Sequence, residues 1–448
     1  MTAVITGAGA VSAFGAGMPA LFTGLSEGRA AIAPIRSFDA STFPTRVAGE
    51  VPVTAIDPAW LASRLDDSLG ASPEIRDAAI RGLAEAGALR DRKIGFALLA
   101  AAEAWRGARC GDAERDASLV VALGLEQAFL EDFGPIFAAP DGGGAREIRW
   151  DRELAAREVL PHRGDATRTV AEVRFRSRID LAARAVGDLL ALRGPTIVGV
   201  SACAAGTLSV AHAASLIERG AASVVLCGAA DSMVNPLGLG GMCRLGAPSP
   251  RNEPDACRPF DRSRDGLVIG EGAAMFVVED ERRARARGAR IHARILGWGS
   301  TQDAYRVTAP RPDGSAARRA MERALARATL APEAIGYINA HGTGTPLNDP
   351  AEAKAIRGAF GAHHPAVSSI KGAVGHLMAA AGALELAASL LAFDRDLLPG
   401  TAHHRDLDPE CAVDVIGPTP RAARVDALMS NSFGFGGQNA SIILGRAT

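Results

Sequence analysis

Lysine is scarce in this chain of 448 residues: only Lys93, Lys354 and Lys371 occur among its 49 basic side chains. A lysine kept against such a bias towards arginine indicates a position that needs a compact ammonium group rather than a planar guanidinium. Net charge is almost absent as well, at −1. Such a chain has no overall field that attracts it to nucleic acid or to an anionic membrane, so we predict neither as a partner.

The cysteines lack any pattern of a metal module or a disulfide framework. All six stand apart, at positions 110, 203, 227, 243, 257 and 411, with no CxxC pair among them. Free thiols at such spacing fit a reducing compartment, so we predict a cytoplasmic location. No Lys or Arg precedes Arg29, so the apolar N-terminus lacks the basic region of a signal peptide.

A dinucleotide-binding fingerprint is also incomplete. The first predicted strand leads into Gly7-Ala8-Gly9, but Ser12 stands where the third glycine belongs, so the pattern does not predict a nucleotide cofactor.

Length and pattern predict two packed halves. The chain is longer than one hydrophobic core usually supports, and 48% of its residues are hydrophobic. Apolar strands alternate with helical segments before and after a linker rich in Pro, Arg and Asp at 246–266, which predicts an α/β protein with mainly parallel central strands. We place the halves at residues 1–255 and 256–448.

The stretch from Gly194 to Ile217 contains no formally charged residue. Residues 196–200 are apolar and partly β-branched, which predicts a buried strand, and from Ala204 onward a helix of about four turns follows. Cys203 falls at the turn between them, where backbone N–H groups and the helix dipole favour the thiolate. The polar side chains of the stretch make it a poor membrane span. These residues alone leave open a nucleophilic cysteine and an inert cysteine of the core.

Two histidines stand in similar surroundings. His341 follows the predicted strand 335–340, and His376 comes after the strand 366–370, each within a glycine-rich turn. Ligand chemistry in α/β sheets gathers at the carboxyl ends of strands, where we expect both histidines and Cys203 to lie. Their long separations in sequence show no metal-ligand spacing, so we predict no metal there.

A helix start follows His341. Asp349 stands as N-cap, Pro350 at the first helical position and Glu352 at the third, a pattern that predicts a capping box. His376 precedes an alanine-rich segment, Leu377–Leu391, that is apolar almost all round and predicts a buried helix.

Five blocks of sequence occur in a fixed order along the chain. They read VSACAAGTLSVAHA, ACRPFDRSRDGLVIGEGAAMFVVE, YINAHGTGTPLNDPAEAKAI, SSIKGAVGHLMAAAGALE and NSFGFGGQNASI. These blocks resemble the signatures of the β-ketoacyl-acyl carrier protein synthases, above all the elongating kind with one cysteine and two histidines. The resemblance spans 193–444, VITGAGAVSAFG and DRKIGFALLAAAEA, whereas 40–90 and 106–180 match poorly. It implies a thiolase-like fold: two similar α/β halves in a layered α-β-α-β-α architecture.

The resemblance also implies a decarboxylative Claisen condensation and a role for each matched residue. Cys203 resembles the nucleophile that accepts an acyl group from a carrier-protein thioester, and the N–H groups of Cys203 and Phe435 resemble the oxyanion hole. His341 and His376 resemble the pair that assists decarboxylation of malonyl-carrier protein. Lys371 and Glu352 resemble a buried pair beside these histidines.

The implied substrate contacts lie on both sides of this site. Thr343 and Thr345 resemble the hydroxyls that hold the pantetheine arm, and Phe435 resembles a gate to the acyl pocket. The implied substrate-binding set also contains Phe433, Asn439, Leu125 and Phe129. Leu125 and Phe129 belong to a segment, residues 124–129, that departs from the family's glycine-rich loop, and we expect them to line the end of the acyl pocket. Gln438 departs as well, because threonine is common there.

No cofactor is implied, because the substrates travel on the phosphopantetheine arm of acyl carrier protein. Acyl carrier protein is thus the implied partner, and the chain is implied to be a homodimer or a heterodimer with a chain-length-factor-like subunit. The last loop has no second cysteine, unlike degradative thiolases, and the two histidines differ from the His and Asn of initiating synthases. Two alternatives remain: a ketosynthase subunit of a specialised polyketide or polyene pathway, and a non-catalytic scaffold of the same fold.

Overall fold

The computed structural model describes residues 1–53, 56–65, 73–85, 87–124 and 179–447. The predictions for Leu125 and Phe129 lie outside these described residues.

The strands of the described residues are β1 (Ala3–Ser12), β2 (Gly15–Ala16), β3 (Ala33–Pro34), β4 (Val47–Ala48), β5 (Ser118–Leu123), β6 (Thr196–Gly199), β7 (Val224–Ser232), β8 (Glu271–Asp280), β9 (Ala293–Gln302), β10 (Tyr337–Asn339), β11 (Ala366–Ser368), β12 (Leu397–Leu398), β13 (Asp414–Val415), β14 (Arg421–Ala422), β15 (Ala427–Gly434) and β16 (Gln438–Arg446). The α-helices are α1 (Met18–Ser26), α2 (Pro58–Arg64), α3 (Pro73–Glu85), α4 (Arg92–Gly107), α5 (Leu181–Leu189), α6 (Ala205–Glu218), α7 (Pro236–Arg244), α8 (Glu281–Ala286), α9 (Ser315–Ala328), α10 (Asn348–Phe360), α11 (Lys371–Val374), α12 (Ala381–Ser389) and α13 (Leu391–Asp394).

Two sets of five strands share one pattern of pairing. In the first set β5 pairs in parallel with β6 and β7, β7 pairs antiparallel with β8, and β8 pairs antiparallel with β1. In the second set β10 pairs in parallel with β11 and β15, β15 pairs antiparallel with β16, and β16 pairs antiparallel with β9. A short antiparallel pairing of β1 with β9 joins the sets. The repeated topology confirms the predicted fold of two similar α/β halves.

The helices form layers on both faces of these strands. Helices α6 and α12 pack between the two sets, α4 and α5 cover the outer face of the first set, and α9 and α10 pack on the second. Helix α12 is buried along its whole length and α6 along most of its length, because both sides of these helices are covered. They approach closely at Gly206, where an added Cβ would lie 2.6 Å from the Ala383 backbone nitrogen.

Two predicted elements differ from the structure. Residues 196–200 were predicted to be a buried strand, but β6 ends its sheet in the described part of the chain, and Val200 is 52% exposed. The predicted helix Leu377–Leu391 is broken into a 3₁₀ turn at Met378–Ala380 and the helix α12, because Met378 adopts a left-handed φ of 47°. In the described ranges, no helix combines the length and the apolar character needed to span a membrane.

Candidate active site

Cys203 lies in the turn between β6 and α6, as predicted. Ala202 before it has a left-handed φ of 46°, a conformation that costs energy for a residue with a side chain. This sharp turn places the thiol at the amino end of α6. The end of β15 lies against the same turn, since a Cβ built on Gly434 would lie 2.9 Å from the Cys203 backbone nitrogen.

Burial governs the protonation of Cys203. It raises the pKa of the thiol to about 11, and the nearby Lys371 charge and the Phe435 N–H counteract it only in part. The expectation that the turn favours the thiolate is therefore wrong for the resting protein, because removal from water disfavours the anion more than these groups stabilise it. Cys203 rests as a neutral thiol at neutral pH.

His341 and His376 lie beside this thiol. Their ring centroids are 5.2 Å apart, and one donor atom from each ring lies within 4.8 Å of the Cys203 sulfur and of the other. Burial lowers the pKa of both imidazoles well below the ordinary value, and the charge of Lys371 lowers it further. Both rings are therefore neutral at neutral pH. Three residues distant in sequence thus meet at one point, as predicted.

Hydrogen bonds fix the same tautomer in both rings. The Met378 backbone N–H donates to His376 Nδ1 at 3.2 Å, and the Lys371 ammonium, which can only donate, lies 3.3 Å from His341 Nδ1. A neutral imidazole whose Nδ1 accepts carries its proton on Nε2. Each ring therefore offers an Nε2–H donor, and a protonated nitrogen does not bind a metal ion. The geometry of Cys203, His341 and His376 supports hydrogen-bond donation better than metal ligation, although the three donor atoms are close enough to hold an ion.

Lys371 forms its buried ion pair with Glu385, and the predicted pairing with Glu352 is wrong. The Lys371 ammonium contacts Glu385 Oε1 and the His341 carbonyl oxygen, and the side chains of Lys371 and Glu385 are each 1% exposed. Glu385 lies on α12, fourteen residues after Lys371, and the packing of α12 against β15 brings it to the histidines. Sequence reasoning missed Glu385. The signal was present, because it is the only charged side chain between His376 and Asp394 and a buried carboxylate needs a partner.

Glu352 instead supports the turn that carries His341. Its carboxylate accepts the backbone N–H of His341 at 2.9 Å and that of Gly342 at 2.8 Å. Burial raises its pKa to about 7, and these two donors oppose the shift. Asp349 acts in the same way, since its Oδ1 accepts the N–H of Thr343 at 3.0 Å.

The predicted capping box is therefore wrong. Helix α10 begins at Asn348, one residue before the predicted N-cap. Both carboxylates are turned back towards the preceding turn, where they accept its buried backbone N–H groups.

Besides Phe435, the structure describes four of the residues predicted to contact substrate. The Thr343 and Thr345 hydroxyls are 2.9 Å apart and share a hydrogen bond. The Phe433 ring lies 6.0 Å from that of His341. The Asn439 amide donates to Asp303 Oδ1 at 2.7 Å and so holds the neighbouring loop. Among the predicted contacts, Leu125 and Phe129 belong to the part of the chain that is not described.

Phe435 sits in a loop with unusual backbone. Gly436 and Gly437, which follow it, have φ of 77° and 76°, values that favour glycine. The Gly436 N–H donates to the Val307 carbonyl oxygen at 2.6 Å, and Asp303 N–H donates to the Gly437 carbonyl oxygen at 2.8 Å. Phe435 is only partly buried and packs in the apolar cluster that contains Cys203.

Comparison with known proteins gives one consistent family. The family model of the beta-ketoacyl synthase N-terminal domain matches residues 2–284, and that of the C-terminal domain matches residues 292–405. The 3-oxoacyl-[acyl-carrier-protein] synthase 2 of Coxiella burnetii is 36% identical over 99% of this chain and 98% of its own length. The putative polyketide beta-ketoacyl synthase 1 of Streptomyces cyaneus is 35% identical over 98% of this chain and 97% of its own. The solved ishigamide ketosynthase/chain length factor has a TM-score of 0.79 at 31% identity, covering 100% of this chain and 99% of that one.

Proposed function

The chain belongs to the β-ketoacyl synthase family, and on this premise we propose how its site works and what it acts upon. As a member it is an acyltransferase that forms carbon–carbon bonds by condensation. The proposed substrates are an acyl group and a malonyl group, each carried as a thioester on the phosphopantetheine arm of acyl carrier protein. The proposal includes no further cofactor and no metal.

In the first half-reaction, Cys203 accepts the acyl group. The sulfur attacks the thioester carbonyl, the carbon–sulfur bond to pantetheine breaks, and the thiol proton ends on the departing pantetheine sulfur. The backbone N–H groups of Cys203 and Phe435 stabilise the oxyanion that forms on the way. Phe435 moves aside to admit the acyl chain, and the Thr343 and Thr345 hydroxyls hold the pantetheine arm.

In the second half-reaction, the malonyl thioester loses carbon dioxide. The electron pair of the broken carbon–carbon bond moves onto the thioester oxygen, where the two Nε2–H groups of His341 and His376 stabilise the enolate. The enolate carbon then attacks the acyl carbon on Cys203. The sulfur of Cys203 leaves as a thiolate and regains a proton from solvent, and the product is a β-ketoacyl thioester.

One observation carries this proposal. A thiol and two neutral imidazoles meet within 4.8 Å in a buried site, and both imidazoles are held as Nε2–H donors. A general base would need a free ring nitrogen aimed at the thiol, whereas two donors suit a developing negative charge. Lys371, paired with Glu385, keeps His341 in this tautomer, and Glu352 holds the His341 turn.

A second subunit fits the exposed edge of the sheet. Among the described strands β6 has only β5 as a neighbour, and it lies next to the Cys203 turn. We propose that a second copy, or a chain-length-factor-like subunit, covers this edge. The likeness to a ketosynthase/chain length factor structure and to a polyketide synthase favours a specialised pathway as the second candidate beside fatty acid synthesis. We also propose that the protein acts in the cytoplasm.

Intact-protein mass spectrometry tests the proposal. The purified protein is exposed to acyl-carrier proteins of graded chain length, and a mass increase of one acyl group is expected at Cys203. Carbon dioxide release from malonyl-carrier protein is measured in parallel. Loss of acylation in Cys203→Ala supports the assignment, and an alanine variant that is still acylated at a cysteine overturns it. The same protein, with and without a co-expressed partner subunit, gives the assembly by its mass in solution.

A further inference from the structure

Asp231 is a buried carboxylate that the reaction above leaves without a role. It lies near the end of β7 in the N-terminal half and is 2% exposed. Its surroundings are tight, because a Cβ on Gly124 would lie 2.0 Å from Asp231 Oδ1. Burial raises its pKa to about 6, and the nearby charge of Lys93 opposes the shift. A carboxylate kept in such a place needs a partner that holds it there.

That partner belongs to the turn that carries His376. The Ala379 backbone N–H donates to Asp231 Oδ2 at 2.9 Å. Ala379 lies in the 3₁₀ turn that leads into α12, so Asp231 accepts one of the free N–H groups at the start of this helical segment. The contact crosses from one half of the molecule to the other.

The same turn sets the tautomer of His376. The next amide towards the N-terminus, that of Met378, donates to His376 Nδ1. Met378 has the left-handed φ of 47°, which a residue with a side chain adopts only when its surroundings impose it. The peptide that follows Met378 is the one whose N–H Asp231 binds. Asp231 therefore holds the strained turn in the geometry that aims the Met378 N–H at His376.

We propose that Asp231 is a positioning residue for His376: by binding the Ala379 amide across the two halves, it keeps His376 as an Nε2–H donor for the enolate. Lys93, itself in a buried ion pair with Asp91, stabilises the charge of this carboxylate only in part, because the charge of Asp91 opposes it. The inference rests on the proposed function, since it concerns the decarboxylation half-reaction. It also implies that loss of Asp231 slows decarboxylation and leaves acyl transfer to Cys203 largely unaffected. The negative charge of Asp231 raises the pKa of Cys203, so we expect its removal to leave acylation of the thiol largely intact.

Two substitutions of similar size isolate the contact. Asp231→Val removes the acceptor while keeping volume and a side chain that suits a strand, and Asp231→Asn keeps an acceptor oxygen. In Asp231→Val, carbon dioxide release from malonyl-carrier protein should fall about 10- to 100-fold through misplacement of one donor. Acylation of Cys203 should stay close to the native rate. Asp231→Asn should retain most of the decarboxylation.

A control and a spectroscopic reading complete the test. Glu103→Leu removes another carboxylate that accepts backbone N–H groups, those of Ala10 and Met18, and should change both half-reactions equally or neither. The tautomer of His376 is read by nuclear magnetic resonance of protein labelled with ¹⁵N-histidine, and its signals are assigned by their absence in His376→Ala. They should report Nε2–H in the native protein and a shift towards Nδ1–H in Asp231→Val. If the valine variant does not fold, Asp231→Ala is used in the same assays.

The outcomes separate the inference from the function. A native protein that neither becomes acylated nor releases carbon dioxide refutes the proposed function. If the native protein does both, any of three results in a folded Asp231→Val variant overturns the role of Asp231. These results are an equal loss of the two half-reactions, a loss of neither, and an unchanged His376 tautomer. Failure of Asp231→Asn to restore decarboxylation overturns it as well.

Discussion

Replacing Glu385 with alanine should lower the free energy of unfolding by about 3–5 kcal/mol, the usual cost of leaving one buried charge without its partner. The Lys371 and Glu385 side chains are each 1% exposed, so water cannot take over the lost contact. At an effective dielectric constant of about 20, two unit charges about 4 Å apart attract by about 4 kcal/mol, which agrees in size.

A double-mutant cycle measures the pairing directly. Lys371→Met, Glu385→Leu and the double variant are unfolded in denaturant and followed by circular dichroism. We expect a coupling free energy of about 3 kcal/mol or more, with the double variant nearer the native stability than either single one. The matched cycle of Lys371 with Glu352→Leu should give less than about 1 kcal/mol, because Glu352 binds backbone amides instead.

The two cycles decide between the pairings. If coupling to Glu352 equalled or exceeded coupling to Glu385, the ion pair in the structure would be refuted. Glu279→Gln is the stability control, because it disturbs a buried carboxylate paired with Arg283 and Arg287 away from the histidines. It should destabilise the protein without a selective loss of decarboxylation.

Three further outcomes are expected. Alanine at His341 or His376 should slow carbon dioxide release about 100- to 1000-fold and acyl transfer less, and equal losses in a folded variant would contradict the shared donor role. Burial raises the pKa of Glu352 from its ordinary 4.5 to about 7. The free energy of unfolding of the native protein, relative to that of Glu352→Gln, should therefore fall by about 3 kcal/mol as the pH rises from 4.5 to 7. A stability difference that does not change with pH would contradict this raised pKa. Gly434→Ala would place a Cβ 2.9 Å from the Cys203 backbone nitrogen and should slow acylation of Cys203. Gly417→Ala is the control, because no atom lies within 4 Å of its added Cβ, and it should not slow acylation. Equal acylation rates in the two variants would argue against an oxyanion site at the Cys203 nitrogen.

The meeting of Cys203, His341 and His376 could be predicted from sequence. Each follows a strand within a small-residue turn, and the carboxyl ends of parallel strands lie together. The partner of Lys371 could not, because it depends on how α12 is placed against β15, a packing that local sequence does not determine. The lone charge of Glu385 in an apolar helix was the available clue.

Local rules failed where tertiary contacts competed with them. Asp349 and Glu352 match a capping box by spacing. In the structure both carboxylates instead accept hydrogen bonds from backbone N–H groups of the preceding turn. The dipole argument for a Cys203 thiolate is sound at an exposed helix start but is outweighed by burial. Among the described strands β6 lies at the edge of the sheet, a position that depends on strand order and that composition alone does not reveal.

The central claim is that Cys203 and the two histidines form a carbon–carbon bond by decarboxylative condensation. The most direct measurement is mass spectrometry of the carrier protein after incubation of the enzyme with acyl-carrier protein and ¹³C-labelled malonyl-carrier protein. The expected product is a β-ketoacyl-carrier protein two carbons longer than the acyl primer, labelled in those carbons, formed with an equal amount of carbon dioxide and absent with Cys203→Ala. The claim would be contradicted if the folded native protein became acylated at Cys203 yet gave no labelled β-ketoacyl product. It would also be contradicted if the Cys203→Ala variant formed the labelled product at the native rate.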